Sequence, residues 1–122
     1  MRTLVIGLLL ALSMRGEKPV KMEDYTLTVR VVSSEKSFHG SGTSCSMVLT
    51  IDEYAGVTYY ANQHSEFYSN PAMCFDRGSA LKGRYVQEGK GSYQHTPEIR
   101  VLYYDKKGRL RYTPYYVSSE SR

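Results

Sequence analysis

The sequence predicts an all-β fold: a small antiparallel β-sandwich, or a partly open barrel, of six or seven strands. Three observations predict it. Runs of β-branched and aromatic residues recur every ten or so positions, separated by turns bearing Gly, Asn or Asp. There are 12 Tyr against 3 Phe and no Trp, and tyrosine is a strand former that buries a large ring while keeping a polar tip. No stretch carries the apolar period of a convincing helix.

The clearest element lies near the end of the chain. Residues 98–104, Glu-Ile-Arg-Val-Leu-Tyr-Tyr, and residues 109–118 flank the short segment Asp105-Lys106-Lys107-Gly108. Asp105 suits the first position of a type I turn and Gly108 the left-handed position that follows. With a Lys106-Lys107-Gly108 loop, Asp105 pairs with Arg109 and Tyr103 faces Arg111. One face then carries Leu102, Tyr104, Leu110 and Tyr112; the other carries Ile99, Val101, Tyr103, Tyr115 and Val117. Pro114 cannot donate to a ladder, which points to an edge or a bulge at that position.

Taken in order, residues 1–13 read as a secretory signal. Arg2 gives a positive start, residues 4–12 an apolar run too short to span a bilayer, and Ala11 and Ser13 small residues before a cleavage point at Met14. No cysteine follows it, so no stable membrane anchor is expected. Residues 14–24 are charged, carry Pro19 and read as a flexible lead-in. Residues 25–31 alternate, with Tyr25, Leu27, Val29 and Val31 on one side, as in a half-buried strand. Residues 33–44 are polar and glycine-bearing, and read as a loop.

Residues 45–51 form the next strand, with Met47, Leu49 and Ile51 inward. A turn at 52–56 leads to a return strand at 57–61. Residues 62–78 are the least regular, with a short strand near 66–68. Leu81-Lys82-Gly83-Arg84-Tyr85 reads as a tight turn feeding a strand, and residues 88–97 as a polar loop. The domain boundaries are 25–118 for the β-domain and 119–122 for a tail. The 122 residues suffice for one domain.

Cys45 and Cys74 are the only cysteines. An even count in a chain that reads as exported predicts a disulfide, closing a loop of about 30 residues and adding roughly 3.5 kcal/mol in the chain-entropy model. That bond would fasten the irregular 62–78 segment to the second hairpin. Neither cysteine has a partner at metal-ligand spacing.

The formal net charge of +4 is spread along the chain, with no run longer than Lys106-Lys107. A nucleic-acid binder concentrates its charge on one face, so nucleic acid is not an expected partner. His39, His64 and His95 sit in expected loops, without the His-x-His or His-Glu-x-x-His spacing of a metal site. The glycine-bearing segment at 41–44 lacks the Gly-Lys-Ser spacing of a phosphate loop. A serine hydrolase elbow is absent. The carboxylates Asp52, Glu53, Glu66, Asp76, Glu88 and Glu98 show no pairing that marks a glycosidase. No catalytic residue, metal or cofactor is expected.

Binding is the better-supported class. The doublets Tyr59-Tyr60, Tyr103-Tyr104 and Tyr115-Tyr116 each place one ring on each face of a sheet. Three outward rings on one sheet would make an aromatic platform for a glycan, a peptide or a protein. Packing against a second sheet is the plainer alternative, and Arg111 opposite Tyr103 would then be a simple cation–π pair.

The exported start, the Tyr-x-Leu-x-Val-x-Val-x-Ser-Ser pattern at 25–34, the Cys-x-x-Val-Leu-Thr strand at 45–50 leading into Ile51-Asp52, and the Leu-x-Gly-x-Tyr motif at 81–85 together resemble a group of small exported bacterial proteins with a single β-domain. The resemblance implies no activity. The Leu-x-Gly-x-Tyr motif is also similar to that of prealbumin-like and immunoglobulin-like sandwiches, which bears on fold alone. The expectation is a secreted or periplasmic, non-enzymatic binding or structural module. A small secreted hydrolase or hydrolase inhibitor is the alternative. The ligand and the oligomeric state are not legible.

Overall fold

The computed structural model describes residues 20–40, 42–66, 71–87 and 96–122. The expected signal at 1–13, most of the lead-in, His95, most of the 88–97 loop and most of the short strand near 66–68 lie outside the described residues.

A single 3-10 turn, Met22–Asp24, precedes six strands: β1 (Leu27–His39), β2 (Gly42–Ile51), β3 (Thr58–Ser65), β4 (Ala80–Val86), β5 (Glu98–Tyr104) and β6 (Leu110–Ser121). All neighbours are antiparallel, in the order β1-β2-β3-β6-β5-β4, and β4 pairs back onto β1. The small all-β architecture therefore takes its barrel form, and the barrel is closed. Two three-stranded meanders, β1–β2–β3 and β4–β5–β6, are joined along the β3–β6 and β1–β4 seams. Closure pairs the strands on both sides around the body of the barrel, while the β1–β2 hairpin runs on past the reach of β4.

The interior follows from strict alternation. Val29 and Val31, then Met47, Leu49 and Ile51, Tyr59 and Ala61, Ile99 and Val101, and Tyr115 and Val117 all point inward and are buried. Full burial of an aliphatic side chain of this size is worth about 1.5–3 kcal/mol, so this set is the main source of stability. Two bulges bend the wall. One lies between Val31 and Ser33 on β1. The other interrupts the β3–β6 register between Tyr60 and Ala61. Bulges of this kind sharpen twist and help a small sheet close.

Residues 71–76 cross the end of the barrel where β3 stops and β4 begins, and contacts from three strands, β2, β3 and β6, hold them. The Ala72 amide donates to Thr43 Oγ1 at 2.7 Å. The Met73 amide donates to Gln63 Oε1 at 2.8 Å, and the Met73 carbonyl accepts from the Tyr115 hydroxyl at 2.6 Å. Phe75 meets the Tyr115 ring edge-on, with centroids 6.4 Å apart. Cys74 is bonded to Cys45, with Cα atoms 5.6 Å apart. The expected disulfide is present, and it ties the irregular segment to the second hairpin. Burial pushes the Tyr115 phenol well above the usual tyrosine range. At the opposite end Tyr54, Tyr59 and Tyr85 cluster edge-to-face or tilted. Tyr85 donates to Glu120 at 3.0 Å, and burial is the main cause of its rise to about 12.

The terminal hairpin has the expected register: Tyr104 opposes Leu110, Tyr103 opposes Arg111, and the Asp105 amide donates to the Arg109 carbonyl. Gly108 has φ 76°, the left-handed conformation its position in the loop requires. Asp105 Oδ1 accepts from the amides of Lys107 and Arg109, both at 2.9 Å, and Oδ2 accepts from Arg111 Nε at 2.7 Å. These donors, the Arg109 amide foremost, hold the carboxyl far below the usual aspartate range. A carboxyl depressed on folding stabilises the fold above its unfolded-state value, near pH ~4, and the stabilisation fades as pH falls below that. The difference in melting temperature between wild type and Asp105→Ala is therefore expected to be widest near pH ~7 and to close toward pH ~2.

Pro114 lies in β6 opposite Arg100, where β6 is paired with β5 alone and its other side is the local edge that a proline requires. Its carbonyl points toward β3, where the β3–β6 ladder has ended at Asn62–Tyr116, and accepts instead from Gln63 Nε2 at 2.8 Å. The missing N–H therefore falls where no ladder bond is made.

Three expectations are corrected. Residues 33–44 are not a loop: β1 runs to His39 and β2 starts at Gly42, pairing continuously to His39–Gly42. The C-terminal residues are not a tail, because β6 continues to Ser121 and pairs with Thr58. Leu81-Lys82-Gly83-Arg84-Tyr85 is not a turn but the body of β4. A Cβ on Gly83 would lie 2.5 Å from Val29 Cγ2 and 3.0 Å from the Arg100 carbonyl, so β1 and β5 leave room for glycine alone. Gly83→Ala is expected to cost about 1–3 kcal/mol in urea unfolding, and trimming Val29 in the same chain to relieve part of it.

Candidate functional site

β3 builds the site. Its alternation sends Tyr59 and Ala61 inward and Tyr60, Asn62 and His64 outward, where all three are exposed. β2 on one side adds Ser44 and Ser46, opposite His64 and Asn62 respectively. β6 on the other side adds Tyr116, opposite Asn62, and Ser118. Ser118 Oγ donates to the Tyr60 carbonyl at 3.0 Å, which fastens the β6 wall at the bulge.

Two hollows lie on this outer face. One, of about 350 Å³, is floored by Tyr60 and Asn62 and rimmed by Ser46, Ser118 and Glu35. The other, of about 550 Å³, takes in Asn62, Tyr116, Ser118, His64, Glu66 and Thr96. They adjoin at Asn62 and Ser118 and together make a grooved face with a tyrosine in each half. The two tyrosines stand on adjacent strands, Tyr116 opposite Asn62 and Tyr60 opposite Ser119 on the other side of the bulge. Among the described lining residues the only formal charges are Glu35 and Glu66.

The six tyrosines of the expected platform separate into three groups. Tyr59 and Tyr115 are the inward members of their doublets. At 4% and 0% exposed they fill the barrel, and no ligand can reach them. Tyr103 points inward at the barrel end, half-buried, beside the Asp105–Arg111 pair. Tyr104 is exposed, but it sits opposite Leu110, six residues or roughly 20 Å along β6 from Tyr116. Its neighbour is Tyr112, which stacks against Tyr25 at 6.3 Å and lies under the Arg100 guanidinium at 5.0 Å. Tyr60 and Tyr116 remain, so the surface is a two-ring groove and not a three-ring platform.

His39 ends β1 opposite Gly42 at the hairpin tip, and His64 lies two strands over, on β3 opposite Ser44. Among the described residues no cluster of His, Cys, Asp and Glu has the makings of a metal site. Ser44 Oγ lies 2.9 Å from His64 Nδ1, a cross-strand pair at the groove's upper end. Of the expected carboxylates, Asp52 is paired with Arg30 at 2.8 Å, and Glu98 is buried against Arg100 at 2.6 Å.

Asn62, His64, Ser46 and Ser118 were not legible as one site. Carrying the alternation of β3 past Ala61 to Ser65 would have put Tyr60, Asn62 and His64 on one face. No protein-family model, curated protein or solved structure matches the chain.

Proposed function

We propose that the chain is an exported, non-enzymatic binding module that holds its ligand on the outer face of β2, β3 and β6. The observation that carries the reading is the pair of adjoining hollows, with Tyr60 in one, Tyr116 in the other and Asn62 common to both. A rigid floor supports it. β3 is paired on both sides at Tyr60 and Asn62, so the side chains are presented on a preformed surface with little ordering cost on binding. Export is supported by the Cys45–Cys74 bond, which persists in an oxidising compartment. No helix of the described residues is long and apolar enough to cross a membrane. Residues 1–13 supply the signal in this reading, and the resemblance to small exported bacterial β-domain proteins agrees with it.

The test is a printed array of glycans and peptides, probed with wild type and with a Tyr60→Ala/Tyr116→Ala double variant. Hits shared by both chains would place binding elsewhere on the barrel. Hits lost only in the variant are the expected result.

A hydrolase is the second reading, and the Ser44–His64 contact is the observation that favours it, since a nucleophile within hydrogen-bond reach of a base is its minimal requirement. The pair lies directly across two strands, where Ser–His hydrogen bonding is an ordinary cross-strand contact. Covalent labelling of Ser44 by a fluorophosphonate, abolished in Ser44→Ala, would establish the hydrolase; absence of labelling is the expected outcome.

A further inference from the structure

We infer that the groove takes a neutral polysaccharide chain, an inference that rests on the proposed binding face and names its ligand class. Three features of the groove point there together.

First, the chemistry of the lining alternates. Tyr60, exposed, and Tyr116, half-buried, bring aromatic rings to the lining, and beside them are set an amide, Asn62, and hydroxyls from Ser46, Ser118 and Thr96. A sugar ring has one face of C–H groups, which rests on the electron-rich face of an aromatic ring, and a rim of hydroxyls that both donate and accept. The two tyrosines stand on neighbouring strands with the Asn62 amide and the Ser118 hydroxyl beside them, so rings and hydrogen-bonding groups are offered to the same ligand.

Second, charge argues against the other polymers. No Lys or Arg is among the described lining residues, so an acidic polysaccharide or a nucleic acid finds no counter-charge. The two carboxylates, Glu35 and Glu66, stand one in each hollow, away from the shared Asn62–Ser118 centre.

Third, the face offers side chains and no backbone. At Tyr60 and Asn62 the strand is hydrogen-bonded to β2 on one side and β6 on the other. A peptide that binds by strand addition needs a free strand edge, and the floor of the groove at Tyr60 and Asn62 offers none. A glycan needs no such edge.

The test is titration calorimetry on the full chain. The neutral probes are cellohexaose, xylohexaose, chitohexaose and maltohexaose; the charged probes are polygalacturonate, heparin and an oligolysine peptide. The expected result is binding of at least one neutral hexasaccharide. Tyr60→Ala and Tyr116→Ala should each weaken it roughly three- to tenfold, while Tyr60→Phe, which keeps the ring, binds within about twofold of wild type. Thermal melts of each variant separate lost binding from lost folding, and the exposed position of Tyr60 predicts a melt close to wild type for Tyr60→Ala. Binding of a charged probe alone, weakened by the same substitutions, overturns the neutral-chain inference and leaves the binding face standing. Binding of any probe that neither alanine substitution weakens, or no binding by any probe, overturns both.

Discussion

Replacing Arg100 by methionine is expected to lower the unfolding free energy by about 3–5 kcal/mol. Glu98 and Arg100 project from the outer face of β5, with a contact of 2.6 Å and side chains 4% and 14% exposed. A charge taken out of water is tolerable only with its partner in place. Removing the guanidinium would strand the Glu98 carboxylate in a site water hardly reaches, and would also withdraw the cation from the Tyr112 ring 5.0 Å away. The pair itself is a weak net stabiliser, because both charges had to be desolvated. The double variant Glu98→Leu/Arg100→Met is therefore expected to recover most of the loss. Urea unfolding of the single and double variants measures both quantities. If the double variant were as unstable as the single one, lost packing and not the orphaned charge would be the cause.

Removing the Cys45–Cys74 bond is the second large effect. The cysteines are 29 residues apart, and opening that loop in the unfolded chain is worth about 3.5 kcal/mol. Cys45→Ala/Cys74→Ala is expected to lose about that much in chemical unfolding. The native-state consequence is local. Residues 71–76 would still be held through Thr43, Gln63 and Tyr115, so the barrel should keep its fold while the crossing segment opens more often. Hydrogen exchange at the Ala72 and Met73 amides is expected to quicken far more than at the Leu49 or Val101 amides, which sit in strands β2 and β5 of the wall. Uniform quickening across all four would mean that the bond supports the whole barrel and not its end.

What could be read from the sequence was local. The Asp-Lys-Lys-Gly turn set the register of β5 against β6, because Asp105 and Gly108 act within four residues of each other. The two cysteines had only each other as partners. The inward members of the tyrosine doublets were legible as a class, since period-2 alternation must bury one of each pair.

What could not be read was set by distant neighbours. The serine-rich 33–44 stretch has no apolar face to mark it as strand. It is strand because β2 pairs with it along its length, while β4 covers β1 only from Leu27 to Arg30. Gly83 looked like a turn residue because its reason for being glycine, Val29 Cγ2 on another strand, is 54 positions away in sequence. Closure depends on the β3–β6 and β1–β4 seams, and the groove depends on the first of these. Tyr60 and Tyr116 are neighbours only because β6 returns to lie beside β3.

The most direct test of the central claim is a map of amide chemical shifts on the isotopically labelled chain during titration with the hexasaccharide that binds best. The account predicts the largest changes at Tyr60, Asn62, His64, Tyr116 and Ser118, with Lys82 and Arg84 on the outer face of β4 unmoved. Changes centred on β4, or on Tyr104 and Tyr112, would contradict it.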